Sequence, residues 1–175
     1  MDYFLLKQDD RYTNTPRLLD INNKIDFRNI KLVNAHKIDD IIICNVKCDE
    51  ETKFLDVLDS QRFLVSENMK RILEKYNEKA IFKTIPLIDS HNNRQENYYL
   101  PIFEEIEALS EKAELNLDKT VVKKIILDNK KIEGKKIFQI KESVKPLIVV
   151  RLDVAESLLR RRFKGIRLEQ LEIDD

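Results

Sequence analysis

The chain has 175 residues, 42% of them hydrophobic and 37% charged, and its 32 basic and 32 acidic side chains cancel to a formal net charge of zero. That length suits one domain able to bury a core without staples, and the balanced charge excludes the chain-wide basic surface that nucleic-acid modules carry. No run approaches the ~20 apolar residues that a membrane-spanning helix needs. With two cysteines and no export signal in the first residues, the expected setting is a reducing cytoplasm.

In chain order, Tyr3–Lys7 is rich in residues that suit a pleated surface and predicts an opening strand. Residues 8–36 carry Asn14, Pro16, Asn22, Asn23 and Asn29 without a sustained period, and read as a long ordered loop or short pieces. Ile41–Val46 predicts a buried strand. Phe63-Leu64-Val65 predicts another, followed by Ser66 as an N-cap. Met69, Ile72, Leu73 and Tyr76 then recur at i, i+3, i+4 and i+7, one face of an amphipathic helix that ends at Asn77. Ile81–Ile88 and Asn97–Ile102 flank the turn cluster Asp89–Asn93 and predict a hairpin. Pro86 and Pro101 lack donors, which implies edge or end positions in it.

Phe103–Leu115 is ambiguous: Ile102, Ile106 and Leu109 fit a helical period, whereas Ile102, Glu104, Ile106 and Ala108 alternate poorly as a strand, so helix or strand stays open over 102–115. Lys123–Asp128 and Lys136–Ile140 flank Asn129–Gly134 and predict a second hairpin. Leu147–Arg151 predicts a strand running into a helix, with Asp153 and Glu156 at the spacing of a capping box. Val154, Leu158, Leu159 and Phe163 form the apolar stripe of that helix. Gly165 stands where a left-handed terminator is wanted, and Ile166–Ile173 alternates as a closing strand. A strand–helix–strand unit therefore recurs at 63–88 and 147–173. The expected fold is α+β: a single domain over residues 1–175, with a mixed or antiparallel sheet, a less regular part at 1–60 and a core at 61–175.

Candidate chemistry is sparse. Gly134 and Gly165 belong to no Gly-rich loop, so nucleotide binding through Rossmann or P-loop folds is excluded. Cys44 and Cys48 have no pair of partner ligands at zinc spacing, and His36 and His91 have no ligand neighbours. They read as reduced structural thiols and surface histidines. No serine sits between glycines as a nucleophile elbow does. Neither a catalytic residue nor a cofactor or metal site is expected. Glu104, Glu105, Glu107, Glu111 and Glu114 form a dense acidic stretch, read as a surface that meets a basic protein partner. Arg160, Arg161, Arg162, Lys164 and Arg167 form the densest basic patch, placed where cations complement a helix dipole. It lacks the interleaved aromatics of single-strand binders.

The C-terminal third carries a resemblance. Ile137-Phe138-Gln139-Ile140, Leu147-Ile148-Val149-Val150, the helix with Leu158-Leu159, and Lys164-Gly165-Ile166-Arg167-Leu168-Glu169 resemble the end of a bacterial polymorphic-toxin immunity family of the myxobacterial type, formerly a domain of unknown function. Phe63–Glu67 and the helix after it are similar to the family's central part. Ile106–Ser110 is similar to its middle segment, although Glu107 and Ser110 stand where Asp is common and Leu168 replaces an aromatic. The resemblance implies a small cytoplasmic protein that binds and blocks a cognate toxin, without catalysis. The alternative from another class is a regulatory or nucleic-acid-associated module using the Arg160–Arg167 patch, and a hydrolase with scattered carboxylates stands third. The oligomeric state is left open.

Overall fold

A computed structural model describes residues 1–175. The first half holds β1 (Tyr3–Gln8), β2 (Arg17–Leu18), β3 (Cys44–Lys47), β4 (Val57–Leu58), β5 (Leu64–Ser66), β6 (Ile81–Asp89) and β7 (Arg94–Ile102). The second half holds β8 (Glu105–Ile106), β9 (Glu114–Leu115), β10 (Val122–Lys124), β11 (Ile126–Asp128), β12 (Ile137–Ile140), β13 (Ile148–Arg151), β14 (Ile166–Gln170) and β15 (Glu172–Asp174). Three α-helices, α1 (Ile21–Lys24), α2 (Glu67–Tyr76) and α3 (Leu152–Arg160), complete the α+β fold, with two 3-10 turns before β3.

Six strands form one sheet in the order β2-β3-β6-β7-β5-β4. All six send apolar side chains into one cluster: Leu18, Cys44, Val46, Ile85, Leu87, Tyr98, Leu100, Ile102, Leu64 and Leu58, plugged by Ile21, Ile25, Ala35, Ile38 and Leu55. The sheet curls far enough that a residue just past β4 reaches β2. The closing stitch is a side chain. Gln61, just past β4, accepts from Leu18 N–H at 2.7 Å and donates to Leu18 O at 2.8 Å, standing in for a strand neighbour on β2. The Tyr98 hydroxyl donates to Leu55 O inside the curl at 2.6 Å.

The second sheet has the order β14-β1-β13-β12-β8. Strand alternation gives it two apolar faces. Leu6, Ile148 and Val150 share a cluster with Val65 of the curled sheet and with Met69, Ile72, Leu73, Val154, Ala155 and Leu158 of the helices. Tyr3, Leu5, Phe138 and Val149 point the other way, against Ala108, Leu109, Leu127, Ile132 and Leu171. Helices α2 and α3 thus lie in the apolar layer that both sheets share. Residues 106–132 and β15 roof the far face.

Both strand–helix–strand units form, and they share a geometry. β5 and β6 flank β7 and are each antiparallel to it, so they run parallel with one strand between them. β13 and β14 flank β1 in the same manner. β1 thus fills the gap of the C-terminal unit and ties the N-terminus of the chain into that sheet.

Other sequence expectations are corrected. The predicted strand Ile41–Val46 begins at Cys44, and Ile41 and Ile43 are exposed, so it is buried on one face only. The 81–102 hairpin is interior to its sheet, so Pro86 is at neither an edge nor an end, whereas Pro101 stands at the end of β7 as expected. Thr84 donates to Asp40 O at 2.9 Å, so Pro86, two residues on, turns its ring nitrogen toward β3 as well. The β3–β6 ladder is broken there, between the Ile41–Thr84 bridge and the Cys44–Leu87 pair. Pro101 lies opposite Phe82 with its nitrogen facing outward, beyond the last β5–β7 pair. Phe103–Leu115 contains two short strands and no helix.

The second predicted hairpin does not form. β11 pairs in parallel with β15, while β12 pairs with β13 and β8. At α3 the N-cap is Arg151 and no side chain caps the first turn. Asp153 is held instead by the Arg151 guanidinium at 2.8 and 2.9 Å. Leu159 is exposed. The left-handed residue ending α3 is Arg162, φ 52°, so Gly165, φ 72°, serves a later turn.

Candidate functional site

The structure disperses the five glutamates. Lys135 binds Glu104 at 2.8 Å, Lys141 binds Glu107 at 2.8 Å, and Lys31 lies 3.7 Å from Glu105. The Lys141 hydrogen bond holds the Glu107 carboxyl below its ordinary range. Three of the five are therefore neutralised within the chain, and only Glu111 and Glu114 remain outside these pairs. A further carboxylate, Glu142, accepts from the backbone N–H groups of Ala108 and Leu109 at 3.2 and 3.0 Å and fixes the middle of the stretch. Sequence reasoning missed it because its targets lie more than thirty residues away.

What the acidic stretch leads into is more pointed. β9 and β10 pair around the loop 116–121. Asn116 organises it: the side-chain oxygen accepts from Thr120 and Val121 N–H at 2.9 and 3.0 Å, and the backbone N–H donates to Val121 O at 2.9 Å. Asp118 accepts from the Thr120 hydroxyl at 2.6 Å and from its N–H at 3.1 Å, which lowers the Asp118 pKa. Lys119 is held at φ 59°, a conformation a non-glycine residue keeps only where its surroundings impose it. This locked frame presents Leu117, which is fully exposed, with Val121 also exposed beside it. Val144, another exposed apolar residue, donates its N–H to Thr120 O at 3.3 Å.

The basic patch is weaker than its sequence density implies. Arg160 pairs with Glu156 at 3.6 Å, Arg167 with Asp10 at 3.4 Å, and Arg161 donates to the Ser157 carbonyl and hydroxyl oxygens at 2.6 and 2.7 Å. The open hollow beside Arg160 and Arg161 is also lined by Asp153 and Glu156, whose charge opposes a phosphate. His36 and His91 are exposed.

Cys44 is fully buried and donates to Asp20 at 3.2 Å. Burial and that neighbouring carboxylate push its thiol up to about 11. Burial and Asp89 push Cys48 to about 11 as well. Burial opposes ionisation of Asp20, but hydrogen bonds from Lys24, Cys44 and Asn45 outweigh it and hold the carboxyl at about 2. Because the thiolate is the reactive form, both cysteines should react far more slowly with a thiol reagent at pH 8 in the folded protein than in denaturant. Timed labelling followed by mass measurement checks this, and equal rates in the two states contradict it.

No group of three or more His, Cys, Asp or Glu side chains converges as a metal cluster, and no helix is long and apolar enough to cross a membrane. No protein-family model and no curated protein matches the chain.

Proposed function

We propose that the protein is a non-enzymatic immunity protein of the bacterial cytoplasm, which neutralises a cognate protein toxin by binding and covering it. The observation that carries this reading is Leu117, a fully exposed leucine on a loop whose polar groups are already satisfied by Asn116, Asp118 and Thr120. An exposed leucine adds nothing to the fold. On a loop already tied by these hydrogen bonds it can serve as an anchor, because less conformational freedom remains to be lost on binding. Energetically dominant contacts are of this kind, buried centrally and ringed by less important ones. Glu111 and Glu114 precede the loop and supply negative charge for a basic partner surface. The C-terminal resemblance to the immunity family supports the same reading.

The partner to test is a toxin domain encoded beside this gene. Co-expression should restore growth, and Leu117→Asp should weaken the complex about tenfold or more while leaving thermal stability unchanged. Full protection by Leu117→Asp removes the anchor. Absence of a complex with the unaltered protein removes the binding reading itself.

A further inference from the structure

The outer wall of the curled sheet is covered at one end and bare at the other. Over β7 and β6, α2 lies on the wall with the Lys70 ammonium 4.8 Å from the Tyr99 ring centre and 5.8 Å from that of Phe82. Over β2 and β3 no element lies on it. Ladder partners share a face, so Arg17 and Lys47 stand side by side there, as do Asn45 and Ile88, and Ile41 and Thr84. Ile43 lies between Ile41 and Asn45 in the alternation. Leu19 joins the same face, donating its N–H to Asn45 O at 3.0 Å. Leu19, Ile41 and Ile43 are 56%, 65% and 55% exposed, although the inward residues between them, Ile42 and Cys44, are buried.

The charges at the two ends of this strip differ in sign. Exposed Asp39 precedes it, and Lys47 with Arg17 closes it. The ion pairs nearby, Asp40 with Lys83 and Asp20 with Lys24, leave all three without a partner in the chain. Two cations directly opposite across a ladder repel each other, and nothing within the molecule relieves them. The strip therefore reads isoleucine, isoleucine, asparagine, base, and Asp39 stands in the bent segment that leads into it, four residues before Ile43 as Lys47 is four after. The Asn45 amide is already bonded to Asp20 at 3.2 Å and makes no further demand.

We infer that this face is a self-complementary interface for a second copy of the chain. A twofold axis in the plane of the interface, crossing β3 at Ile43, sets the two strips antiparallel. Asp39 of each copy then meets Lys47 and Arg17 of the other, Ile43 meets Ile43, and Ile41 meets the Leu19–Ile88 surface beside Asn45. This is the isologous geometry of a closed dimer. The 116–121 loop belongs to the layer over the other sheet and does not take part.

Sedimentation equilibrium of the purified chain tests the inference. A dimer is expected, weakened by salt and by Ile43→Asp, whose largely exposed position leaves the far-ultraviolet circular dichroism of the folded chain unchanged. Asp39→Lys and Lys47→Asp should each weaken self-association about tenfold or more by juxtaposing like charges. An equimolar mixture of those two variants should associate better than either alone, since one crossed contact is then native and the other sets the introduced lysine against the introduced aspartate, with only Arg17 still opposing it. A monomer at all concentrations overturns the inference, as does a dimer indifferent to these substitutions or a mixture that associates no better than its components.

Discussion

Gly165→Val should be the most damaging single substitution in this protein, lowering stability by several kcal/mol, more than ~3. Two causes act at once. At φ 72° a β-branched side chain is severely disfavoured. A Cβ there also falls 2.6 to 2.8 Å from the branched end of Leu55, a 1% exposed side chain that must shift within the core to make room. The site is pinned from both sides: Asp9 N–H donates to Gly165 O at 2.9 Å, and Lys164 O accepts from Asp56 at 2.9 Å. Gly165→Ala should cost about 1–3 kcal/mol by the same two effects. Gly134 is the control, with φ 74° but nothing within 4 Å of an added Cβ, so its alanine should cost only the backbone share, about 1 kcal/mol. Urea denaturation of the three variants checks the order. A Gly165→Ala no worse than Gly134→Ala contradicts the close approach to Leu55.

Leu158→Ala should destabilise the fold by about 2–5 kcal/mol, whereas Leu159→Ala should stay within about 0.5 kcal/mol. Leu158 is wholly buried in the layer shared by both sheets, among Met69, Leu73, Ile148 and Val150. Its removal leaves a cavity that two sheets and a second helix cannot jointly collapse. Leu159 is one residue on, about 100° around the helix, and is 62% exposed. Equal losses from the two alanines would mean that α3 is rotated from the phase described.

Those two leucines also show where the sequence was legible and where it was not. The Met69–Tyr76 stripe and the Ser66 cap were readable because both are local: Ser66 Oγ accepts from Met69 N–H at 3.3 Å within one turn. The α3 stripe was read one residue too wide, since Leu158 and Leu159 are chemically alike and only the packing of α2 chooses between them. The turn at 129–134 exists, with Lys131 N–H donating to Asp128 O at 3.1 Å. It does not close a hairpin, because β11 finds its partner at β15, more than forty residues away. The curl of the six-stranded sheet rests on Gln61 reaching Leu18, and the second sheet on β1 lying between β13 and β14. Neither contact leaves a periodic trace. The acidic stretch was visible as composition, but its lysine partners at 31, 135 and 141 were not. Leu117 was hidden because a single leucine among polar residues has no pattern. Only its exposure on a locked loop distinguishes it.

The proposal that this chain acts by covering a toxin, without chemistry of its own, is tested most directly by titrating the toxin's activity with the purified protein. Activity should fall linearly and reach zero when one protomer is present per toxin. Separating the complex in denaturant should then return toxin of unchanged mass, which regains activity on refolding, while Leu117→Asp should displace the titration to much higher concentration. Inactivation by a small fraction of an equivalent, or a toxin recovered with altered mass, would instead mean that the protein is an enzyme.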